Sequence, residues 1–246
     1  MFDAEAERYD LTVQDADALV AVMPEPWTMY VRLVAATGLR PEEAAGLQLR
    51  DVAPDCSAVT VRRVLIDARP QFYESKPKTP KSHRTLTLDS RTRGDLTAYL
   101  KRHRARATKW FTDHPDHAHP GDRLPLFVGV GVFKRGQRQR KAGSDLDWLG
   151  FSSPMSHRWF YMRHWKTALK KVGLSETIRF YDLRHAHISW LVARLGQPGA
   201  LSITEISERA GHASPVMTLN RYAHSPSHDD DRHRKGLPRV RLTPDL

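Results

Sequence analysis

Two side chains that could carry chemistry lie close together in the segment AGHASPVMTLNRYAH. His212 follows Gly211, and Tyr222 comes ten residues later. A tyrosine hydroxyl can act as a nucleophile, and an imidazole can donate a hydrogen bond to the group under attack. The hydroxyl is a weak nucleophile near neutral pH because its reference pKa is about 10, and most tyrosines are packing residues. The segment alone leaves both roles open for Tyr222.

Arg184 is a charged residue on the apolar face of a predicted helix. It lies four residues before Ile188, on a stripe that continues through Leu191 and Leu195. Burying a guanidinium is costly unless it meets an anion. Arg184 therefore pairs with a core carboxylate, extends to solvent, or lines a pocket for phosphate, which suits its two-pronged geometry.

Arg40 has the same three alternatives. It directly precedes a predicted helix that begins at Pro41, and the backbone N–H groups of a first helical turn favour anions. Glu43, one turn further on, can orient the guanidinium. Each arginine taken alone is compatible with a structural role.

Caps and apolar spacing predict the helices that must position these residues. The predicted helices are TVQDADALVAVM with Thr12 as cap, PWTMYVRLVAATG ended by Gly38, LRPEEAAGL, residues 91–110, PMSHRWFYMRHWKTALKKVG opening at Ser153-Pro154 and closing at Gly173, DLRHAHISWLVARLG capped by Asp182 and closed by Gly196, SITEISERAG with a capping box from Ser202 to Glu205, and SPVMTLNRYA.

Two β-branched, roughly alternating segments, AVTVRRVLI and HRTLTL, predict strands of a hairpin or three-stranded sheet. The basic, proline-broken segment KPKTPKS precedes the second. TDHPDHAHPGDRLP and VGVGVFKRGQRQRKAGSD are typical of loops. The sequence thus predicts an α+β domain, mainly α, with a small antiparallel β-sheet packed on helices.

Composition limits the class of protein. The 246 residues carry a net charge of +11 at pH 7, which favours a polyanionic partner. The chain contains no apolar run of about 18 residues, so a membrane span is not predicted. Its first residues are not a basic segment followed by an apolar one, so a signal peptide is not predicted either. The single cysteine, Cys56, excludes a disulfide framework and a cysteine-based zinc site, and fits a reducing cytoplasm.

Four motifs in order resemble those of the tyrosine recombinases, the phage-integrase-like site-specific recombinases. TGLRPEEAAGLQLRDV resembles the first arginine box, KPKTPKSHRTLTL the β-hairpin lysine segment, YDLRHAHISWL the second box, and ERAGHASPVMTLNRYAH the third. By this resemblance the catalytic residues are Arg40, Lys78, Tyr181, Arg184, His212 and Tyr222, supported by Glu43.

The resemblance implies a DNA strand-transfer enzyme that works without metal, ATP or another cofactor. The arginines and His212 would stabilise the charged transition state, Lys78 would protonate the departing 5′ oxygen, and Tyr222 would form a 3′-phosphotyrosyl link. The implied partner is double-stranded DNA, bound by a protein that is monomeric when free and tetrameric on DNA, with room for an accessory DNA-bending protein, in the bacterial cytoplasm or nucleoid.

Two departures from the family pattern stand out. Tyr181 occupies the position of the family's usual histidine, so it can donate a hydrogen bond but cannot supply positive charge near neutral pH; His185 and His187 are neighbours that could compensate. Residues 1–224 form the expected catalytic domain and residues 225–246 a disordered or docking tail, without the family's N-terminal DNA-clamping domain. The alternatives are a weak or silent DNA-binding module of this fold and a topoisomerase IB-like relaxing enzyme.

Other conspicuous segments receive ordinary interpretations. His114, His117 and His119 match no zinc spacing and are expected in a polar loop. KRGQRQRK is expected to contact phosphates or solvent, and WFYMRHW to pack in the core.

Overall fold

The computed structural model describes residues 11–68, 71–75, 82–130 and 149–222. The helices are α1 Val13–Val22, α2 Trp27–Thr37, α3 Pro41–Ala45, α4 Ser90–Asp113, α5 His157–Phe160, α6 Lys166–Lys171, α7 Asp182–Val192, α8 Ile203–Ala210 and α9 Pro215–Tyr222. A π-helical turn, Tyr161–Trp165, makes α5 and α6 continuous, and short 3₁₀ turns lie at Leu49–Asp51 and Gly121–Arg123.

The helix ends follow the predicted capping chemistry. Thr12 and Asp15 form a capping box at α1, and Ser202 and Glu205 form another at α8. Gly38 and Gly211 end α2 and α8 with φ of 66° and 64°, a left-handed conformation that costs glycine little. Local sequence is therefore sufficient to set these boundaries, because the polar groups that satisfy a helix end lie within a few residues of it.

The strands of the described residues form three antiparallel pairs. β1 (Ala58–Val61) pairs with β4 (Arg84–Thr87), β2 (Val64–Ala68) with β3 (Gln71–Ser75), and β5 (Val128–Val130) with β6 (Leu149–Pro154). The predicted pairing of AVTVRRVLI with HRTLTL is confirmed for β1 and β4. The hairpin of β2 and β3 is inserted between them, and β3 was not predicted.

Two predictions around β5 and β6 are wrong. The sequence predicts a loop at Val128–Val130, but these residues pair with β6. The sequence predicts that Ser153-Pro154 opens a helix, but the pair lies in β6. The helix begins at His157, with the Ser156 hydroxyl accepting a hydrogen bond from the Trp159 N–H. A Ser-Pro pair is compatible with either structure, and the distant partner strand decides between them.

The core surrounds α2. Tyr30 stacks on Phe180 with ring centroids 4.9 Å apart, and Phe160 and Trp165 are fully buried beside them, as predicted for WFYMRHW. A smaller apolar cluster contains Ile188, Ile206, Ala210, Leu191, Val192, Leu195 and Leu201. The predicted apolar stripe is therefore confirmed for Ile188 and Leu191, and it connects α7 to α8. The helix ends at Val192 rather than at the predicted Gly196, so Leu195 joins this cluster from the following turn.

Helix α4 is basic, but acidic partners face many of its cations. Arg102 and Arg106 both pair with Glu25, and Arg91 pairs with Asp17. Such exposed pairs contribute little stability individually, yet they lower the positive potential at this surface. At the end of α4, His114 stacks on Trp110 at 4.3 Å. No helix within the described ranges is long and apolar enough to cross a membrane.

Candidate active site

Arg40 is held at the junction between α2 and α3. It occupies the N-cap position of α3, where its backbone N–H donates to Glu43 Oε2 at 2.9 Å and its Nη1 donates to Glu43 Oε1 at 2.8 Å. About a third of the side chain is exposed, at 32%. Glu43 thus fixes the direction of a guanidinium that solvent can still reach, as the sequence suggested.

Glu43 has a second cationic partner that joins α3 to the sheet. Arg84, on β4, donates from Nη1 and Nη2 to the two oxygens of Glu43 at 3.0 and 2.8 Å. Burial alone raises the pKa of Glu43, but the hydrogen bonds and charge of Arg84, followed by those of Arg40, outweigh it and lower the pKa to about 2. The carboxylate is therefore ionised at any working pH.

Arg184 is 1% exposed and lies between the ends of two other helices. Its Nη1 donates to the carbonyl of Gly38 at 2.6 Å, and its Nη2 donates to the carbonyl of Ala210 at 2.5 Å. Carbonyls at a helix C-terminus lack intrahelical partners and carry partial negative charge, so the ends of α2 and α8 suit a cation. Of the alternatives left open by the sequence, the core ion pair and solvent exposure do not describe Arg184.

The surroundings of Arg184 disfavour its positive charge. Burial is the main cause that lowers its pKa to about 10, and the neighbouring Arg40 guanidinium lowers it further. Its bonds to carbonyls provide dipoles rather than a full countercharge. The guanidiniums of Arg40 and Arg184, which are 144 positions apart in the chain, are thus close enough to repel each other. An anion bound between them would relieve this repulsion.

His212 begins the turn after α8. Its backbone N–H donates to the carbonyl of Ser207 at 3.0 Å, and Gly211 in left-handed conformation allows this. The His212 Nδ1 lies 2.8 Å from the hydroxyl oxygen of Thr218, a fully buried residue of α9. This bond ties the histidine to the helix whose last residue is Tyr222.

Tyr181 directly precedes α7 and acts as its N-cap residue, one position before the predicted cap Asp182. Asp182 instead accepts hydrogen bonds from the backbone and side chain of Arg179. The Tyr181 hydroxyl interacts with the Arg40 guanidinium and, after Glu43, contributes to raising the pKa of Arg40 against the lowering effect of burial. The edge of its ring faces His185, with centroids 5.0 Å apart.

His187 does not compensate for the missing family histidine, because both of its nitrogens have other partners. Nδ1 lies 2.9 Å from the carbonyl of Ala35, and Nε2 accepts from Arg209 Nε at 3.3 Å. A carbonyl only accepts and a guanidinium only donates, so the ring is neutral and protonated on Nδ1. A Cβ at Gly38 would lie 2.7 Å from this ring, which adds a steric reason for glycine there.

The structure brings together Arg40, Glu43, Tyr181 and Arg184, and places the His212 turn next to the Ala210 carbonyl that Arg184 binds. Tyr222 is the last residue of α9, while its side chain lies outside the described residues, as does Lys78. The first four of these residues lie together, as the predicted site requires, and the roles of all seven remain predictions. Among the described residues, no cluster of His, Cys, Asp and Glu side chains could hold a metal ion.

Sequence reasoning missed two arginines of this region, Arg84 and Arg209. Arg209 donates from Nη2 to the carbonyls of Ala36 and Thr87, so it joins α8 to α2 and β4. The sequence does contain a signal for Arg84, because in the alternating strand β4 it lies on the same buried face as Leu86. An arginine on an apolar face is the same signal that identified Arg184.

The sequence model of the phage integrase family matches residues 10–228, which is most of the chain. The chain belongs to the phage integrase family. The integrase of Salmonella phage P22 is 38% identical over 89 residues, which are 35% of this chain and 21% of that protein. This integrase-family chain therefore matches only a small part of that relative.

Solved structures show the same fold in this family. The Tn1549 transposon integrase, determined in complex with transposon right end DNA, superposes with a TM-score of 0.64 at 19% identity, over 92% of this chain and 65% of that one. XerA recombinase superposes with a TM-score of 0.57 at 18% identity, over 91% and 61%. The fold is that of the tyrosine recombinase catalytic domain, and the chain spans under two thirds of each structure.

The neutral state of His187 predicts acid sensitivity of this integrase-family fold. Burial, and then the charge of Arg209, lower its pKa to about 3, whereas in the unfolded chain it titrates near its reference value of about 6.5. The unfolded state therefore binds the extra proton first, so the stabilisation is complete above pH 6.5 and is lost as pH falls towards 3. We expect His187 to lower the free energy of unfolding by about 2–3 kcal/mol between pH 7 and pH 4.5.

The comparison of wild type with His187→Asn isolates this contribution. Asparagine can still donate to the Ala35 carbonyl but does not titrate. Urea denaturation at pH 7 should show the variant to be less stable, and the difference should shrink by about 2–3 kcal/mol at pH 4.5. A difference that stays constant over this range would show that His187 is not the group responsible.

Proposed function

We propose that this chain is the catalytic domain of a site-specific DNA recombinase, which cuts and rejoins double-stranded DNA through a 3′-phosphotyrosyl intermediate. The observation that carries the proposal is the proximity of the Arg40 and Arg184 guanidiniums, at the meeting point of α2, α3, α7 and α8. Arg184 is fixed by carbonyls and Arg40 by Glu43, so both guanidiniums are oriented before any ligand arrives. Preorganised cations of this kind suit the charge of a phosphodiester under attack.

The chemistry follows from these groups. Tyr222 Oη loses its proton to solvent and attacks the phosphorus, the bond between phosphorus and the 5′ oxygen breaks, and Lys78 donates a proton to the departing 5′ oxygen. Arg40 and Arg184 hold the non-bridging oxygens, with His212 as a further donor. The 5′ hydroxyl of a partner strand then attacks the phosphotyrosyl bond and releases Tyr222. One ester replaces another at each step, so the cycle consumes no ATP.

Further expectations accompany this proposal. The partner is double-stranded DNA, in agreement with the net charge of +11. Strand exchange between two duplexes needs four active sites, which favours a protein that is monomeric when free and tetrameric on DNA. An accessory DNA-bending protein and a cytoplasmic or nucleoid location complete the expected setting.

The experiment is covalent trapping on DNA. The protein is incubated with a library of nicked duplexes of random sequence, from which the departing strand can diffuse away after cleavage. SDS-stable protein–DNA adducts are isolated, the bound DNA is sequenced, and the linkage is located by mass spectrometry. We expect one enriched sequence joined through its 3′ phosphate to Tyr222.

Other results would assign the alternatives. Absence of an adduct on any sequence, with DNA binding retained, would identify a silent DNA-binding module. Relaxation of supercoiled plasmid without exchange between two copies of the enriched site would identify a topoisomerase-like enzyme. Linkage through any residue other than Tyr222 would overturn the assignment of the nucleophile.

Tyr181 provides a prediction about the unusual residue at the family's histidine position. Removing its hydroxyl in Tyr181→Phe removes a polar contact to Arg40, and we expect single-turnover cleavage to slow by about 5- to 20-fold. Tyr181→His introduces a group that becomes cationic below about pH 6.5. Its cleavage rate should rise from pH 8 to pH 6, a change that wild type lacks. A Tyr181→Phe rate equal to wild type would show that the hydroxyl has no part in cleavage.

A further inference from the structure

The carboxylate of Glu43 is shared between two guanidiniums, and its side chain is 1% exposed. Oε1 accepts from Arg40 Nη1 and Arg84 Nη1, and Oε2 accepts from the Arg40 backbone and Arg84 Nη2, all within 3.0 Å. Four donors match the capacity of an ionised carboxylate. The group is therefore fully satisfied only when both arginines are present.

The balance of charge in this cluster differs from that of a simple ion pair. A buried Glu43 facing Arg40 alone would cancel most of the charge that Arg40 could offer to a phosphate. With Arg84 added, two cations share one anion, and the cluster keeps a net charge of about +1. The more exposed member is Arg40, at 32% against 7% for Arg84, so the surplus is available where a ligand can reach it.

Arg84 also contacts the turn that carries His212. Its Nε donates to the carbonyl of Arg209 at 2.8 Å, at the end of α8. Its guanidinium lies so close to Gly211 that a Cβ there would be 3.0 Å from Nη1. One side chain thus reaches both the acid that orients Arg40 and the backbone just before His212.

We propose that Arg84 is a positioning residue of the cleavage site: it neutralises Glu43, so that Glu43 orients Arg40 without cancelling its positive charge. This inference rests on the proposed function, because the phosphate that Arg40 serves is the one that Tyr222 attacks. Arg84 acts through Glu43 and does not itself touch the substrate.

A double-mutant cycle tests the charge relationship. Single-turnover adduct formation at saturating DNA and the Kd for a short duplex are measured for wild type, Arg84→Gln, Glu43→Gln and the double variant. We expect Arg84→Gln to slow cleavage by about 30-fold or more, because an unbalanced carboxylate then faces Arg40. Adding Glu43→Gln removes that carboxylate, and the double variant should cleave about 10-fold faster than Arg84→Gln alone.

The same cycle separates this role from a purely structural one. If Arg84 served only to hold the Arg209 carbonyl, Glu43→Gln could not restore activity, and a double variant as slow as Arg84→Gln would overturn the proposal. Arg84→Lys is the second variant, chosen in case Arg84→Gln does not fold. Arg84→Lys keeps the charge but not the two-pronged bond, and its cleavage rate should be about 5-fold above that of Arg84→Gln. If Arg84→Gln is unfolded, Arg84→Lys should fold and cleave DNA at a rate within about 30-fold of wild type. A slower rate would overturn the proposal.

Arg63→Gln is the matched control. Arg63 is a comparably buried arginine paired with Asp51 in another part of the domain, so its loss should lower stability and leave the cleavage rate per folded molecule unchanged. If wild type forms no adduct, the proposed function fails, but the Kd values still test Arg84. Arg84→Gln should weaken duplex binding about 3-fold, and the double variant should regain it; equal affinities of the single and double variants would overturn the inference.

Discussion

Replacing Tyr222 by phenylalanine is expected to abolish the covalent protein–DNA adduct while leaving the Kd for DNA within about 3-fold of wild type. Phenylalanine keeps the ring and lacks only the oxygen that would bond to phosphorus. The covalent bond requires an oxygen held at this position, so the loss should be complete rather than partial. The folded state should be little altered, since the exchange nearly conserves volume and α9 is anchored elsewhere, by the hydrogen bond between Thr218 and His212.

The measurement is adduct formation on the enriched duplex, read on a denaturing gel, with Kd measured in parallel. Tyr73→Phe is the matched control, because Tyr73 is a tyrosine on β3 that is 51% exposed and lies outside the site. It should form adduct at the wild-type rate. An adduct that survives Tyr222→Phe would show that another side chain is the nucleophile.

Replacing Arg184 by lysine is the second prediction with a large effect, although the charge is formally conserved. Lysine has one nitrogen and cannot reach the carbonyls of Gly38 and Ala210 together, so one buried acceptor loses its donor. We expect the free energy of unfolding to fall by about 1–3 kcal/mol. Cleavage at saturating DNA should fall by about 10²–10³-fold, because a single ammonium cannot hold phosphate and carbonyls in the geometry of a guanidinium.

The local field strengthens this expectation. Burial, and then the charge of Arg40, already lower the pKa of Arg184 to about 10. A lysine starts from a lower reference pKa of about 10.4, so the same environment would leave it partly neutral near working pH. The cleavage rate of Arg184→Lys should therefore decline further as pH rises from 7 to 9.

Stability and catalysis can be separated by working well below the melting temperature of the variant, with the folded fraction checked by circular dichroism. Arg63→Lys is the control, since it also shortens the reach of a buried arginine but lies outside the site. It should cost stability without slowing cleavage by folded protein. A rate for Arg184→Lys within about 5-fold of wild type would contradict a role in stabilising the transition state.

Much of the secondary structure could be predicted because its determinants are local. The capping boxes at Thr12 and Ser202 and the left-handed glycines at positions 38 and 211 lie within a few residues of the groups they satisfy. Predictions failed where the partner was remote. The pairing of Val128–Val130 with β6 joins segments about twenty residues apart, and nothing local distinguishes such a strand from a loop.

The candidate site divides in the same way. The sequence by itself determined the family motifs, the strongly basic charge and the identity of the residues proposed to react, because these depend on residue type and order. It also placed Arg184 on an apolar stripe, which marked it as unusual. The sequence could not name its partners: of the three alternatives weighed, a core carboxylate and solvent are not what the fold provides, and the backbone carbonyls that bind Arg184 were not among them.

Only the tertiary structure decided how the charges are balanced. The Gly38 carbonyl that Arg184 binds is 146 residues away in sequence, and the Arg84 that shares Glu43 is 41 residues away from it. It also decided that His187 faces Ala35 and Arg209, while Tyr181 faces Arg40. Each of these contacts depends on how helices and strands pack, and packing combines many weak interactions among distant residues that no local motif contains.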